Sequence, residues 1–200
     1  MLSIENYKFI YIFICFFIIS SLLYYIKNNG KFIKSKIDGK LYNVQQRENL
    51  TDMQKSSDHL AKIVNKITTL VTHLKKTNPD DDRTQLLLQK YNPENIIEAP
   101  YEKGQTSYSI NKGEKIMLCL RTRDNKNKLV DINTMMFVAL HEIAHIATIS
   151  IGHTDEFWNT FEWLLEEAIN IGIYTKQEFS KNPVKYCGIT ITSSPLEKNS

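Results

Sequence analysis

Residues 132–147, INTMMFVALHEIAHIA, restrict this chain more than any other stretch. Met135, Met136, Val138, Ala139, Leu140, Ile143, Ala144, Ile146 and Ala147 place apolar groups on nearly every side of a helical wheel, as in a helix buried all round. The strongly polar side chains between Asn133 and Thr148 are His141, Glu142 and His145, an H-E-x-x-H. At 3.6 residues per turn, positions 141 and 145 share one face, one turn apart. Two imidazoles so placed can bind a single Zn²⁺ without distorting the backbone. Glu142, rotated by about 100°, lies beside such an ion, where a general base must stand to take a proton from an activated water. A buried helix carries three ionisable groups only when they are paired or metal-bound. The competing reading, two satisfied core histidines and an incidental glutamate, gives the spacing no cause.

A catalytic zinc site needs a third protein ligand and keeps its fourth position open. His153 is the first candidate. On a helix continued past 147 its imidazole would sit about 12 Å further along the axis, out of reach. Gly152 offers a remedy, since a glycine just past a helix end takes the left-handed conformation that turns the chain back. The second candidate is a carboxylate on the next helix, which Thr154 can cap, with Asp155 and Glu156 in its first turn. Of Glu162, Glu166 and Glu167 on that helix, Glu166 is the one ranked behind His153. The ordinary fate of such glutamates is a solvated face.

The run LHEIAH followed by GHTDEFW resembles the WLM-type zinc metallopeptidases, relatives of the SprT/Spartan group, as found in large DNA viruses. The likeness continues upstream through TSYSINKGEKIMLCLR and downstream through NPVKYCG, covering roughly residues 50 to 190. It implies one Zn²⁺ on His141, His145 and His153, Glu142 as base, a protein or peptide substrate, and an aromatic pair, here Phe157-Trp158, on the following helix. One departure is a loop from His145 to His153 longer than in many members.

Elsewhere the chain is less specific. Residues 9–26, FIYIFICFFIISSLLYYI, carry no charge; as a helix they span about 27 Å, enough for a thin bilayer. No small-residue cleavage pattern follows them. They read as an N-terminal anchor in contact with membrane lipid, within a segment 1–26. Lys27, Lys31, Lys34, Lys36 and Lys40 follow it, which by the positive-inside rule makes a single-pass protein with its body on the cytosolic side. Cys119 and Cys187 form no recognisable framework, consistent with reduced thiols there.

Residues 27–50 read as a polar linker, with a short extended piece near 41–44. A stripe of Leu60, Ile63, Val64, Ile67, Leu70, Val71 and Leu74 predicts an amphipathic helix over 51–77. His59 and His73 on it read as solvated. A short helix over 83–91 follows the acidic turn at 80–82. TSYSI-NKG-EKIMLCLR reads as a β-hairpin with Gly113 in its turn, and such a strand beside a metal helix can offer its edge to an extended peptide. Tyr174 and Tyr186 are candidate oxyanion donors. Residues 191–200 read as a flexible tail. No basic patch with interleaved aromatics suggests a nucleic-acid partner.

The expectation is an α+β, zincin-like metallopeptidase domain over 51–190, with a small sheet or hairpin packed on the metal helix and one N-terminal transmembrane helix. Two other readings use the same features: a non-catalytic zinc-stabilised interaction module, and a membrane-tethered scaffold binding partners through 51–77.

Overall fold

The computed structural model describes residues 4–28, 30–46, 52–101, 106–124 and 126–197, with side chains in the first helix described over 9–21. In chain order the elements are α1 (Ile4–Asn28), β1 (Lys31–Lys34), β2 (Leu41–Val44), α2 (Met53–Thr77), α3 (Asp82–Lys90), β3 (Ile96–Glu98), β4 (Tyr108–Ile110), β5 (Lys115–Leu118), α4 (Ile132–Ile146), α5 (Asp155–Asn170), β6 (Val184–Tyr186) and β7 (Ile189–Ile191). Helices and small sheets share one core, so the mixed α+β expectation stands.

The central helix is α4, and its sequence explains its place. Asp131 caps it by accepting from the Asn133 N–H, and eleven of its fifteen residues are buried. An all-round apolar helix needs neighbours on all sides. α2 and α5 both pack on it. The stripe of α2 foreseen in the sequence is buried in full, from Leu60 to Leu74. That corrects the scaffold reading, because the face proposed for a partner is spent on this chain's own core. His59 and His73 are corrected too. His59 is half-buried, and burial depresses its pKa; His73 Nε2 lies 3.2 Å from Glu167 Oε2.

The three-stranded sheet runs β3-β5-β4. β4 and β5 form the expected antiparallel hairpin, Ser109 opposite Ile116, while β3 adds in parallel on the other side. Among the described residues β4 is therefore an edge. Gly113 in the hairpin turn has φ +105°, and a Cβ there would come within 2.9 Å of Ile146 Cδ1. The turn thus fits against the end of α4 only as glycine.

Three expectations at the ends of the chain need correction. First, the linker 27–50 contains a hairpin, β1–β2, that docks on α2: Ser57 Oγ donates to Ile33 O at 2.9 Å and Asp58 accepts from the Lys36 N–H at 2.7 Å. Of the lysines taken as flanking charges, Lys31, Lys34, Lys36 and Lys40 belong to this docked hairpin, while Lys27 lies on α1.

Second, the single-pass anchor is overturned. Among the described residues no helix is long and apolar enough to cross a membrane. The cytosolic orientation inferred from that anchor falls with it. Reduced thiols are also corrected: Cys119 and Cys187 are joined in a disulfide, which ties the strand end after β5 to the β6–β7 turn.

Third, the tail expected over 191–200 is held as far as 197. β7 pairs with β6, and Glu197 accepts from both the backbone N–H and the hydroxyl of Ser180. Residues 198–200 lie outside the described set. The β6–β7 connection is Cys187-Gly188, with φ 44° and 87°, the two left-handed positions of a type I′ turn.

Candidate metal centre

His141 and His145 project from one face of α4. The helix ends at Ile146 with Ala147 as its C-cap, and Gly152 takes φ +83° in the loop that follows, five residues beyond that cap rather than at it. His153 is thereby returned to the same point. One ring nitrogen from each of the three histidines lies within 4.8 Å of the other two, and His153 Nε2 stands 3.1 Å from His141 Nε2. A tetrahedral zinc with nitrogens at 2.0–2.1 Å separates its ligands by about 3.3 Å.

Burial favours the neutral form at two of the rings. Burial, followed by the proximity of His145 and His153, pushes His141 down to about 3. Burial, with His153 and Lys112 nearby, pushes His145 down to about 4. Neutral imidazole is the ligating form. Three imidazoles converging without carboxylates or thiols suit a borderline cation such as zinc, so the residues present fit the ion that the motif implies.

Phe157 explains the aromatic pair. Fully buried at the start of α5, it stacks on His145 with centroids 4.3 Å apart and meets His141 at 4.8 Å and His153 at 4.7 Å. It is a floor under all three imidazoles. Trp158 leans on His153 at 5.6 Å from the outer side. Thr154 caps α5 by accepting from the Phe157 N–H, which fixes where that floor begins.

Glu142 is 4 % exposed. Burial pushes its carboxyl up to about 7, opposed by hydrogen bonds from the hydroxyl and backbone N–H of Ser109 on β4. A cleft of about 790 Å³ opens over this group, lined by Ser107, Tyr108, Ser109, Glu142 and the three histidines among others. A smaller apolar hollow of about 310 Å³ lies beyond His141, between Phe137, Trp158, Phe161 and Ser193–Pro195.

The remaining candidates lie elsewhere or are otherwise engaged. Glu166 is exposed on α5 and is not among the gathered side chains. Tyr174 is buried in an aromatic group with Phe137. Tyr186 is buried with its hydroxyl 2.5 Å from Ser107 Oγ and donating to Cys119 O at 3.0 Å, so it braces the cleft wall from behind. Sequence reasoning missed Ser109 and Lys112. Neither belongs to a motif, and the only available signal was their place in the hairpin beside the metal helix.

The WLM domain family model matches residues 40–199. The chain belongs to the WLM family. Its relatives include viral proteins. It is 30 % identical over 175 residues to the protein R325 of Acanthamoeba polyphaga mimivirus, covering 86 % of this chain and 87 % of that one. It is 36 % identical over 104 residues to protein 136R of Invertebrate iridescent virus 6, covering 50 % and 56 % of the two. With protein 042R of Invertebrate iridescent virus 3 it shares 46 % over 89 residues, covering 44 % and 52 %. Among solved structures, this WLM chain is similar to Wss1 from Saccharomyces cerevisiae, with TM-score 0.46 and 19 % identity over 62 % of this chain and 85 % of that one.

Proposed function

We propose that this WLM protein is a zinc-dependent peptidase, with His141, His145 and His153 as ligands and Glu142 as general base. The observation that carries the reading is the convergence of three imidazoles beside a buried carboxylate at the floor of an open cleft. Zinc, when bound, supplies Lewis acidity toward a carbonyl and toward water.

The chain's own residues supply the rest. β4 offers an edge along which an extended peptide pairs, its main chain held by strand hydrogen bonds. Glu142 takes a proton from the attacking water and delivers it to the departing amine. Ser109 aims that carboxylate. Phe157 fixes the imidazole planes and excludes water from behind them. The hollow bounded by Phe137, Trp158 and Phe161 accepts an apolar side chain of the substrate.

The test is turnover of an unfolded protein substrate by the zinc-loaded chain and by Glu142→Gln. The variant is expected to keep its zinc and lose at least about 100-fold in rate. Equal turnover by both forms would remove Glu142 from the chemistry.

A further inference from the structure

The loop that brings His153 to the other two histidines has little structure of its own. After α4 its main chain makes one helical hydrogen bond, Ala147 N–H to Ile143 O, and the Thr148 hydroxyl turns back to Ala144 O. The main chain of residues 148–150 is held instead by two side chains from outside, and the Ser150 hydroxyl lies 2.6 Å from Thr154 Oγ1. The Lys112 ammonium donates to three successive carbonyls, Thr148 O at 2.7 Å, Ile149 O at 2.6 Å and Ser150 O at 2.8 Å. Those three bonds use all the donors an ammonium has. On the amide side, Glu156 accepts from the Ile149 N–H at 2.8 Å and the Ser150 N–H at 2.9 Å. The loop is therefore gripped on its carbonyls by a cation and on its amides by an anion.

Lys112 is placed for this at some conformational cost. It sits in the β4–β5 turn with φ 52°, between Asn111 (φ 44°) and Gly113, a backbone region that a lysine occupies only where its surroundings require it. The turn lies so near the end of α4 that a Cβ at Gly113 would meet Ile146. The ammonium also stands where the α4 dipole is negative, which favours a cation. One short hairpin thus carries both the strand beside Glu142 and the cation that shapes the ligand loop.

We propose that Lys112 is a positioning residue for the third metal ligand, presetting loop 147–153, with Glu156 as its counterpart, so that His153 already faces the point shared with His141 and His145. This rests on the metal-centre reading above. A loop ordered in advance loses less conformational entropy when the ion binds. Removing the grip should weaken metal binding through His153 and through no other ligand.

The experiment measures the affinity of the full chain for Zn²⁺ alone, by competition with a chelating indicator, in four proteins: the parent, Lys112→Met, His153→Ala and the double variant. Lys112→Met should bind zinc about 10-fold more weakly than the parent. In the His153→Ala background the same substitution should change affinity by less than about 2-fold, because nothing is left to position. Glu156→Gln provides a second route to the same loop and should weaken binding in the same direction. An unchanged affinity in both Lys112→Met and Glu156→Gln overturns the proposal. So does an equal loss with and without His153, which would mark a general structural role. A parent that binds no zinc overturns the metal-centre reading itself, an outcome distinct from either.

Discussion

Glu142→Gln should stabilise the zinc-free protein, and by an amount that depends on pH. Burial raises the Glu142 carboxyl from 4.5 to about 7. Below pH 4.5 the group is protonated in both folded and unfolded chains and costs nothing as a charge. Between 4.5 and 7 the folded state keeps a proton that the unfolded state has released, so stability falls as pH rises. Above 7 the loss is complete, about 3 kcal/mol at 1.36 kcal/mol per unit. Glutamine keeps the shape and can still accept from Ser109, but carries no charge to bury. Urea unfolding of the zinc-free pair should therefore show near-equal stability at pH 4.5. At pH 8 the variant should gain up to about 1.5 M in midpoint, for a slope of about 2 kcal/mol/M. The other ionisable groups are common to both proteins and cancel in the comparison. Zinc should narrow the gap, since a cation beside the carboxylate favours its charged form. A stability difference that does not change between pH 4.5 and 8 would refute the reasoning.

Three further outcomes follow from particular contacts. Reducing the Cys119–Cys187 bond, or Cys187→Ser, should cost up to about 4 kcal/mol from the 68-residue separation it closes; denaturant midpoints with and without reductant check this, and coincident curves would contradict it. Gly113→Ala should destabilise by about 1–3 kcal/mol, because the position needs φ +105° and its Cβ would press on Ile146; a midpoint equal to the parent's would mean that the turn repacks freely. His153→Ala should weaken zinc binding far more than Glu166→Ala, read by equilibrium competition, and the reverse order would move the third ligand onto α5.

How much the sequence revealed depended on how local each signal was. The α4 motif and the α2 stripe are written in consecutive turns, and both are helices within a residue or two of their predicted bounds. The β4–β5 hairpin, with glycine at its turn, was equally legible. β3 was not, because its parallel partner is about twenty residues away and three residues hold no period. The disulfide joins positions 68 apart, and no spacing rule connects them. Gly152 marked a left-handed position in the loop before His153, yet it lies past the cap at Ala147, and the loop's grip by Lys112 and Glu156 depends on tertiary placement. The N-terminal expectation went wrong for another reason. Composition alone made an anchor of 9–26 and flanking charges of the lysines after it, whereas Lys31 and Lys34 lie on a strand paired and docked to α2.

The central claim is that three imidazoles share one zinc ion. Zinc analysis of the purified full chain, with X-ray absorption at the zinc edge, tests it most directly. The account predicts one zinc per chain with nitrogen neighbours at about 2.0 Å and loss of that signal in His145→Ala. A chain that stays metal-free after exposure to zinc, or one whose bound zinc survives loss of His145 unchanged, would contradict it.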